Sequence, residues 1–148
     1  MAEEFPKIYL YRRIVQAKLF IDNNFAGNIN LDAIADEAFF SKFHFIRLFK
    51  MAYGKTPHQY LTVLRIEKAK LLLQTNTSVT DTCFAVGFES LSSFAGLFKR
   101  TTGTTPSLYQ QQQKERQHAI SKNPLQFIPN CFAENNGWTE NRNFKEVL

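Results

Sequence analysis

The chain has 148 residues, 44% of them hydrophobic and 14% aromatic, with 15 Phe. This length and apolar content predict one ordinary domain, or two very small domains sharing a core, and exclude disorder as a description of the whole chain. Lys and Arg outnumber Asp and Glu by 18 to 13. The excess is concentrated in residues 41–70, where Glu67 is the single acid. Such a stretch suits a polyanion partner, with a solvated helix face as the alternative.

Cysteine usage and hydropathy exclude further classes of protein. Cys83 and Cys131 show neither metal-ligand spacing nor a disulfide framework. The chain contains no run of 18 apolar residues, and its acidic start does not fit a signal peptide. We therefore expect no metal or other cofactor, no membrane partner and a cytoplasmic location.

The first part of the chain has the periodicity of three short helices. Gly27 is expected to cap the end of the first, Asn30 the start of the second and Ser41 the start of the third, which ends at Gly54. The residues expected to face the core are Ile14, Ala17, Ile21 and Phe25, then Leu31, Ile34, Ala35 and Ala38, then Phe45, Leu48, Phe49 and Ala52.

A longer helix is predicted to follow, opened by Thr56-Pro57 with proline at the first helical position, where its missing N–H does no harm. It should run to about Gln74, a rod of roughly 27 Å at 1.5 Å per residue. Its expected apolar side consists of Tyr60, Leu61, Leu64, Ala69, Leu71 and Leu72.

The pattern then repeats at an offset of 49 residues, so that Leu48-Phe49-Lys50 returns as Leu97-Phe98-Lys99. Ser78 and Ser90 are predicted to cap two further helices, which end at Gly87 and Gly103, and Thr105-Pro106 opens a last one. The expected core residues of this second copy are Val79, Cys83 and Val86, then Phe94, Leu97, Phe98 and Thr101.

Two helices joined by a short turn, the second basic on its outer face, predict a helix-turn-helix, with an ordinary helical bundle as the alternative. The second helix of such a unit fits the major groove of duplex DNA. Two units usually reach groove faces about 34 Å apart by dimerisation, whereas here one chain carries both. We expect an N-terminal extension at 1–11, helix-turn-helix subdomains at 12–56 and 76–118, a linker helix at 57–75 and an irregular tail at 119–148.

The same residues resemble the DNA-binding domain of AraC/XylS-type transcription regulators over roughly residues 14–113. The matching positions are Ala35, Ser41, Phe45, Leu48-Phe49-Lys50, Gly54, Thr56-Pro57, Tyr60, Arg65, Ala69, Leu72-Leu73, Val79, Asp81, Gly87-Phe88, Phe94, Phe98-Lys99, Gly103 and Thr105-Pro106-Ser107. The resemblance implies an all-α fold of about seven helices, double-stranded DNA as partner, and regulation of transcription, most often as an activator that contacts RNA polymerase.

The predicted base contacts lie on the outward faces of the two recognition helices. For the first helix the resemblance places them at Phe43, Ile46 and Arg47. Arg47 suits a bidentate contact to guanine, and the two apolar side chains suit thymine methyl groups. The alternative for Phe43 and Ile46 is packing against the tail of the domain.

Shifted by 49 residues, the whole outward face becomes Leu91, Ser92, Ala95, Gly96 and Lys99. The second set of predicted base contacts on this face is Leu91, Ser92 and Gly96, which are less suited to reading bases. Family members often carry a long polar side chain at or beside Gly96, so this sequence departs from the family there. We therefore expect most base specificity in the first unit. The predicted phosphate contacts are basic or lie at helix starts: Ser41, Lys42, His44, Lys50, Ser78, Ser93, Lys99, Thr105 and Ser107.

An enzyme is not expected, because His44, His58 and His118 have no carboxylate or cysteine partners at ligand spacing. A basic helical module that binds an acidic protein is the alternative function. We expect any sensor or dimerisation domain to lie outside this chain, and the sequence leaves open whether the chain acts alone or is the C-terminal part of a longer regulator.

Overall fold

The computed structural model of the chain describes residues 4–37 and 41–129. Within these ranges it contains no strand, and its α-helices are α1 (Glu4–Asn24), α2 (Leu31–Glu37), α3 (Lys42–Tyr53), α4 (Pro57–Gln74), α5 (Val79–Ala85), α6 (Leu91–Thr102) and α7 (Pro106–Lys122), followed by a 3-10 turn at Pro124–Phe127. The predicted all-α fold of about seven helices is confirmed. The chain forms two compact units that divide between Pro106 and Ser107. Ala38 and Cys131, for which the sequence made predictions, lie outside the described residues.

The predicted helix caps are present at most positions. The hydroxyls of Ser41, Ser78 and Ser90 each accept the N–H of the residue three positions later, at 3.3, 3.0 and 3.3 Å. Thr56 forms a complete capping box with Gln59, which explains why the chain turns sharply into α4. These caps satisfy N–H groups that have no partner inside their helices.

The helix ends agree with the glycine pattern at three of the predicted positions. Gly87, at φ 94°, follows the end of α5, where its N–H donates to the Phe84 carbonyl and the Phe88 N–H donates to the Cys83 carbonyl. Gly54 and Gly103 adopt the left-handed conformation, at φ 72° and 85°, and donate to the carbonyls of Lys50 and Lys99. Because only glycine adopts this conformation without a steric cost, both recognition helices end sharply at the same relative position. The prediction that Gly27 caps α1 is wrong, since that helix already ends at Asn24.

Two cores form along α4. The first consists of Ile14, Ala17, Ile21, Ile34, Ala35, Phe45, Phe49 and Leu61. Farther along α4, where this helix contacts α5 and α6, the buried residues are Ile66, Ala69, Leu73, Cys83, Val86, Phe94 and Phe98. The linker helix therefore supports both helix-turn-helix subdomains, which fixes each recognition helix by its own pair of buried phenylalanines.

Three residues predicted to be buried are exposed. Ala52 and Thr101 occupy equivalent positions in the last turns of α3 and α6, two residues before the terminating glycines. Leu71 is 57% exposed. It continues the face of α4 that meets the first core, but the second core packs against another face, through Ile66 and Leu73.

Two segment boundaries also differ from the sequence-based expectation. The helix α1 begins at Glu4, inside the range expected to be an N-terminal extension. The helix α7 continues to Lys122, inside the range expected to be an irregular tail.

Candidate nucleic-acid interface

The rotation of α3 is fixed by Phe45 and Phe49, which are 1% and 0% exposed. Phe49 packs against Tyr60 of α4 with its ring centroid 5.7 Å away. With these rings inward, the opposite face of α3 carries Phe43, which is 80% exposed, and Arg47 and Lys50, which are also exposed. Helix geometry places these three side chains on one solvent-facing surface.

Ile46 differs from the other predicted base contacts of α3. It is half-buried and packs against the first core. The side chain is therefore shared between the core and the edge of the outward face, and only part of it is available to a ligand. Phe43, near the start of α3, and Met51, in its last turn, are large apolar side chains that this helix exposes to solvent.

The predicted phosphate contacts at the start of α3 already have partners within the protein. The Lys42 ammonium lies 2.9 Å from the Asp32 carboxylate of α2, with both side chains more than half exposed. The Ser41 hydroxyl accepts the His44 N–H. Both interactions are solvent-exposed, so a phosphate would have to compete with Asp32 for Lys42 at a cost typical of a surface ion pair, about 0–1 kcal/mol.

The second recognition helix, α6, has the same internal arrangement and a different outer surface. Phe94 and Phe98 are fully buried. The exposed face carries the predicted contacts Leu91, Ser92, Ser93, Gly96 and Lys99. A Cβ at Gly96 would meet no atom within 4 Å, so the glycine is not required by packing and leaves an open surface.

Arg100 is an exposed residue of this face that the sequence analysis left out. It lies four residues after Gly96, hence directly beside it on the helix surface. Its equivalent in α3, at the offset of 49, is Met51. The helical spacing from Gly96 was the signal that could have identified it, and it supplies α6 with a second basic side chain beside Lys99.

The remaining predicted phosphate contacts lie at helix starts and are all exposed. The Ser78 hydroxyl accepts the Asp81 N–H and donates to the Asp81 carboxylate at 2.7 Å. The negative charge of Asp81 makes this helix start a poor place for a phosphate. Thr105 and Ser107 flank Pro106 at the start of α7.

A contact between the two helix-turn-helix subdomains was not predicted from the sequence. Arg65 of α4 donates from Nε to the Phe25 carbonyl at 2.7 Å and from Nη2 to the Gly27 carbonyl at 3.0 Å. Its guanidinium lies 5.8 Å from the ring centroid of Phe88, in the turn between α5 and α6. Burial lowers the pKa of Arg65, and the charge of Glu89 opposes this shift.

A polar cluster fixes α1 against the start of α4. The Tyr60 hydroxyl donates to Asp22 Oδ1 at 2.5 Å, and Lys18 Nζ donates to Asp22 Oδ2 at 2.7 Å. Burial raises the pKa of Asp22, but the hydrogen bonds from Lys18 and Tyr60 outweigh it, and the pKa lies below its usual value. The cluster orients α4 in the first subdomain without contributing to the outward face of α3.

Residues 4–37 and 41–129 contain no group of three or more His, Cys, Asp or Glu side chains that could hold a metal ion. No helix in this part of the chain is long and apolar enough to cross a membrane. The described surface presents two recognition helices, each fixed by a buried aromatic pair and each with a partly basic outward face.

These features define a tandem helix-turn-helix protein, and comparison with known proteins identifies its family. Residues 34–112 match the family model described as "Helix-turn-helix domain". The chain is 36% identical over 96 residues to an uncharacterised HTH-type transcriptional regulator of Pseudoalteromonas carrageenovora, covering 65% of this chain and 57% of that protein. It is 36% identical over 97 residues to the HTH-type transcriptional activator AarP of Providencia stuartii, covering 65% of this chain and 72% of that protein.

A solved structure agrees with this assignment. The crystal structure of a transcriptional regulator of the AraC-type DNA-binding domain class, from Chromobacterium violaceum, matches with a TM-score of 0.62 and 28% identity, over 70% of this chain and 93% of that one. The chain belongs to the AraC-type family of helix-turn-helix transcription regulators. It spans little more than half the length of the Pseudoalteromonas relative.

Proposed function

We propose that the chain regulates transcription by binding double-stranded DNA sequence-specifically, with α3 and α6 in two adjacent segments of the major groove. The observation that carries this proposal is the pair of solvent-facing recognition helices on one chain, joined through α4. Each helix has the size that the major groove admits. The family membership favours this function over a module that binds an acidic protein.

Within this function, α3 supplies most of the base specificity. Arg47 is the proposed bidentate contact to guanine, Phe43 contacts thymine methyl groups, and Ile46 contributes its exposed edge. On α6, Leu91, Ser92 and Gly96 discriminate weakly, because they offer a short hydroxyl and no long donor. The second unit mainly holds the DNA backbone.

The proposed contacts to the DNA phosphates lie on both recognition helices and at two further helix starts. They are Ser41, Lys42, His44 and Lys50 at α3, Ser93 and Lys99 at α6, Ser78 at the start of α5, and Thr105 and Ser107 at the start of α7. Lys50, Lys99 and the added Arg100 are exposed and basic. Ser78 and Lys42 are the weaker members of the set, because Asp81 and Asp32 already engage them. We further propose activation through contact with RNA polymerase, which AarP's description as an activator supports, a non-enzymatic role and a cytoplasmic location.

Selection from random duplex DNA with the purified chain at near-physiological salt tests the function. We expect one sharply defined base block and a weakly defined neighbour about one helical turn away. Two equally sharp blocks would contradict the weak role of α6. No enrichment of any sequence would contradict sequence-specific binding by this chain.

Arg47→Ala should weaken binding by about 1–3 kcal/mol and relax the preference at a single base pair. Lys99→Ala, the control at a phosphate contact, should weaken binding to all sequences alike, because phosphates carry no sequence information. Binding to a set of duplexes with single base-pair changes measures both effects. The same profile for the two variants would show that Arg47 does not contact a base.

A further inference from the structure

The two helix-turn-helix subdomains are connected by more than the linker helix. The segment of residues 25–27, which joins α1 to α2, presents two backbone carbonyls to the guanidinium of Arg65. The planar fork of an arginine matches such a pair of acceptors, whereas the three donors of a lysine ammonium rotate and do not fix the geometry. Arg65 thereby attaches the first subdomain to the middle of α4.

The same side chain meets the second subdomain. The guanidinium of Arg65 faces the ring of Phe88. Phe88 packs on Phe94 with centroids 5.2 Å apart, and Phe94 packs on Phe98 at 5.7 Å. Since Phe94 and Phe98 fix the rotation of α6, an unbroken series of contacts joins residues 25–27 to the second recognition helix.

The backbone at Gly87 adds a direct contact between the second subdomain and residues 25–27. It adopts φ 94°, and a Cβ at this position would lie 2.8 Å from the Ala26 carbonyl oxygen and 3.0 Å from that of Phe25. The turn of the second helix-turn-helix thus lies directly against the α1–α2 segment of the first. We define Arg65, Gly87, Phe88 and residues 25–27 as the junction.

We infer that the junction, with Arg65 as its positioning residue, sets the distance and rotation between α3 and α6 and thereby the spacing of the two DNA blocks that the chain binds. This inference rests on the proposed function. One base pair more between the blocks displaces the second by about 3.4 Å and a tenth of a turn. Two subdomains joined only by α4 would tolerate that change by twisting at its ends, whereas two subdomains also held at the junction would not.

The first experiment measures binding of the full chain to duplexes in which the selected blocks are separated by the preferred spacer or by one base pair more or less. A spacer change that costs the wild type roughly tenfold in affinity, within the range of one mismatched base pair, should cost Arg65→Met less than about threefold. The quantity compared is the ratio of affinities for two spacers within one variant. A uniform loss of affinity caused by the lost positive charge therefore cancels. Lys70→Met removes a charge from the same helix, where Lys70 pairs with Glu67, and should keep the wild-type ratio.

Base preference within each block separates positioning from general damage. We expect Arg65→Met to keep both block sequences while losing the spacer preference. Wild-type spacer discrimination in a folded Arg65→Met variant would overturn the inference. If Arg65→Met does not fold, Arg65→Lys, which keeps the charge and loses the planar fork, and Gly87→Ala, whose Cβ would lie 2.8 Å from the Ala26 carbonyl oxygen, carry the same test.

A measurement without DNA separates this inference from the proposed function. Spin labels at Met51→Cys and Thr101→Cys, both at exposed positions near the ends of α3 and α6, report the distance between the recognition helices in a Cys131→Ser background. Cys83 is fully buried and should not be labelled. The distance distribution should be narrow in the wild type and broader in the Arg65 variants. If the wild type selected no DNA but this broadening occurred, the function would be wrong and the junction right. An unchanged distribution would overturn the junction.

Discussion

At the scale of single residues, Thr82 carries a buried hydroxyl whose loss of contact with water no hydrogen bond compensates. It is 0% exposed in α5, and its hydroxyl has no hydrogen-bond partner. A buried hydroxyl left unpaired costs free energy because it gives up its bonds to water. Valine has nearly the same shape and the same branching at Cβ, without the polar atom.

Thr82→Val should therefore raise the free energy of unfolding, by about 1 kcal/mol, the lower end of the cost of an unsatisfied buried group. Urea denaturation of the two proteins measures the difference. Thr80→Val makes the same change at an exposed position of α5 and should alter stability by less than about 0.5 kcal/mol. A loss of stability in Thr82→Val would show that the hydroxyl has a partner in solution.

The difference between the two recognition helices is also a matter of single residues. The helices share caps, buried phenylalanines and terminating glycines, yet Arg47 in α3 corresponds to Gly96 in α6. Arg100 restores a positive charge one turn later, at a position suited to a phosphate rather than to the centre of a recognition face. The fold thus repeats while the chemistry presented to DNA does not.

At the scale of helices, the Asp22 cluster links α1 to α4 and should make stability depend on pH. The pKa of Asp22 is lowered in the folded chain, so the folded state favours the carboxylate. This stabilisation is fully present above the unfolded pKa of about 3.9 and is lost as pH falls through the lower folded value.

Asp22→Asn should consequently destabilise the chain at pH 7 by about 1 kcal/mol, the net value of a hydrogen bond together with a partly buried ion pair. The difference from wild type should begin to shrink below about pH 4, where the unfolded chain takes up the proton, and should disappear only below the lowered pKa of folded Asp22. Urea denaturation at pH 7 and pH 3 measures it, with Asp36→Asn on α2 as the control for loss of one exposed carboxylate. A difference that stays constant with pH would place the effect elsewhere than in the charge of Asp22.

The helices also show which parts of the structure the sequence could predict. Caps, terminating glycines and the buried pairs of α3 and α6 follow from local patterns, because the residues involved lie within a few positions of each other. The buried residues of the linker helix α4 were harder to predict. A single apolar stripe predicted burial of Leu71, whereas α4 meets two cores on two faces and buries Leu73 instead.

The junction and the orientation of the candidate site were beyond local patterns for a different reason. Arg65 and the carbonyls it binds are 38 to 40 residues apart. The family resemblance singles out Arg65 among the basic residues of α4, but no residue near it in the sequence indicates what its guanidinium contacts. Only the packing of both subdomains on that helix brings its fork to residues 25–27, so the positioning role required the structure.

At the scale of the whole molecule, the net charge of +5 and the placement of basic residues imply binding that depends steeply on salt. Each phosphate neutralised by a Lys or Arg releases condensed counterions, so that log K falls with log salt concentration by about 0.9 per contact. Lys50, Lys99 and Arg100 are exposed on the two recognition helices, and three such contacts would give a slope near −2.7.

Arg100→Ala should make this slope shallower by about one while leaving the base preferences of α3 intact, since a phosphate contact carries charge but no sequence information. Affinity for the selected duplex at several salt concentrations measures the slope. Lys114→Ala removes one charge from exposed α7 outside both recognition helices and is the matched control. An unchanged slope in Arg100→Ala would remove this residue from the interface. A wild-type chain with no slope on duplex DNA would contradict DNA binding itself and favour an acidic protein partner, because such a module releases no counterions from a nucleic acid.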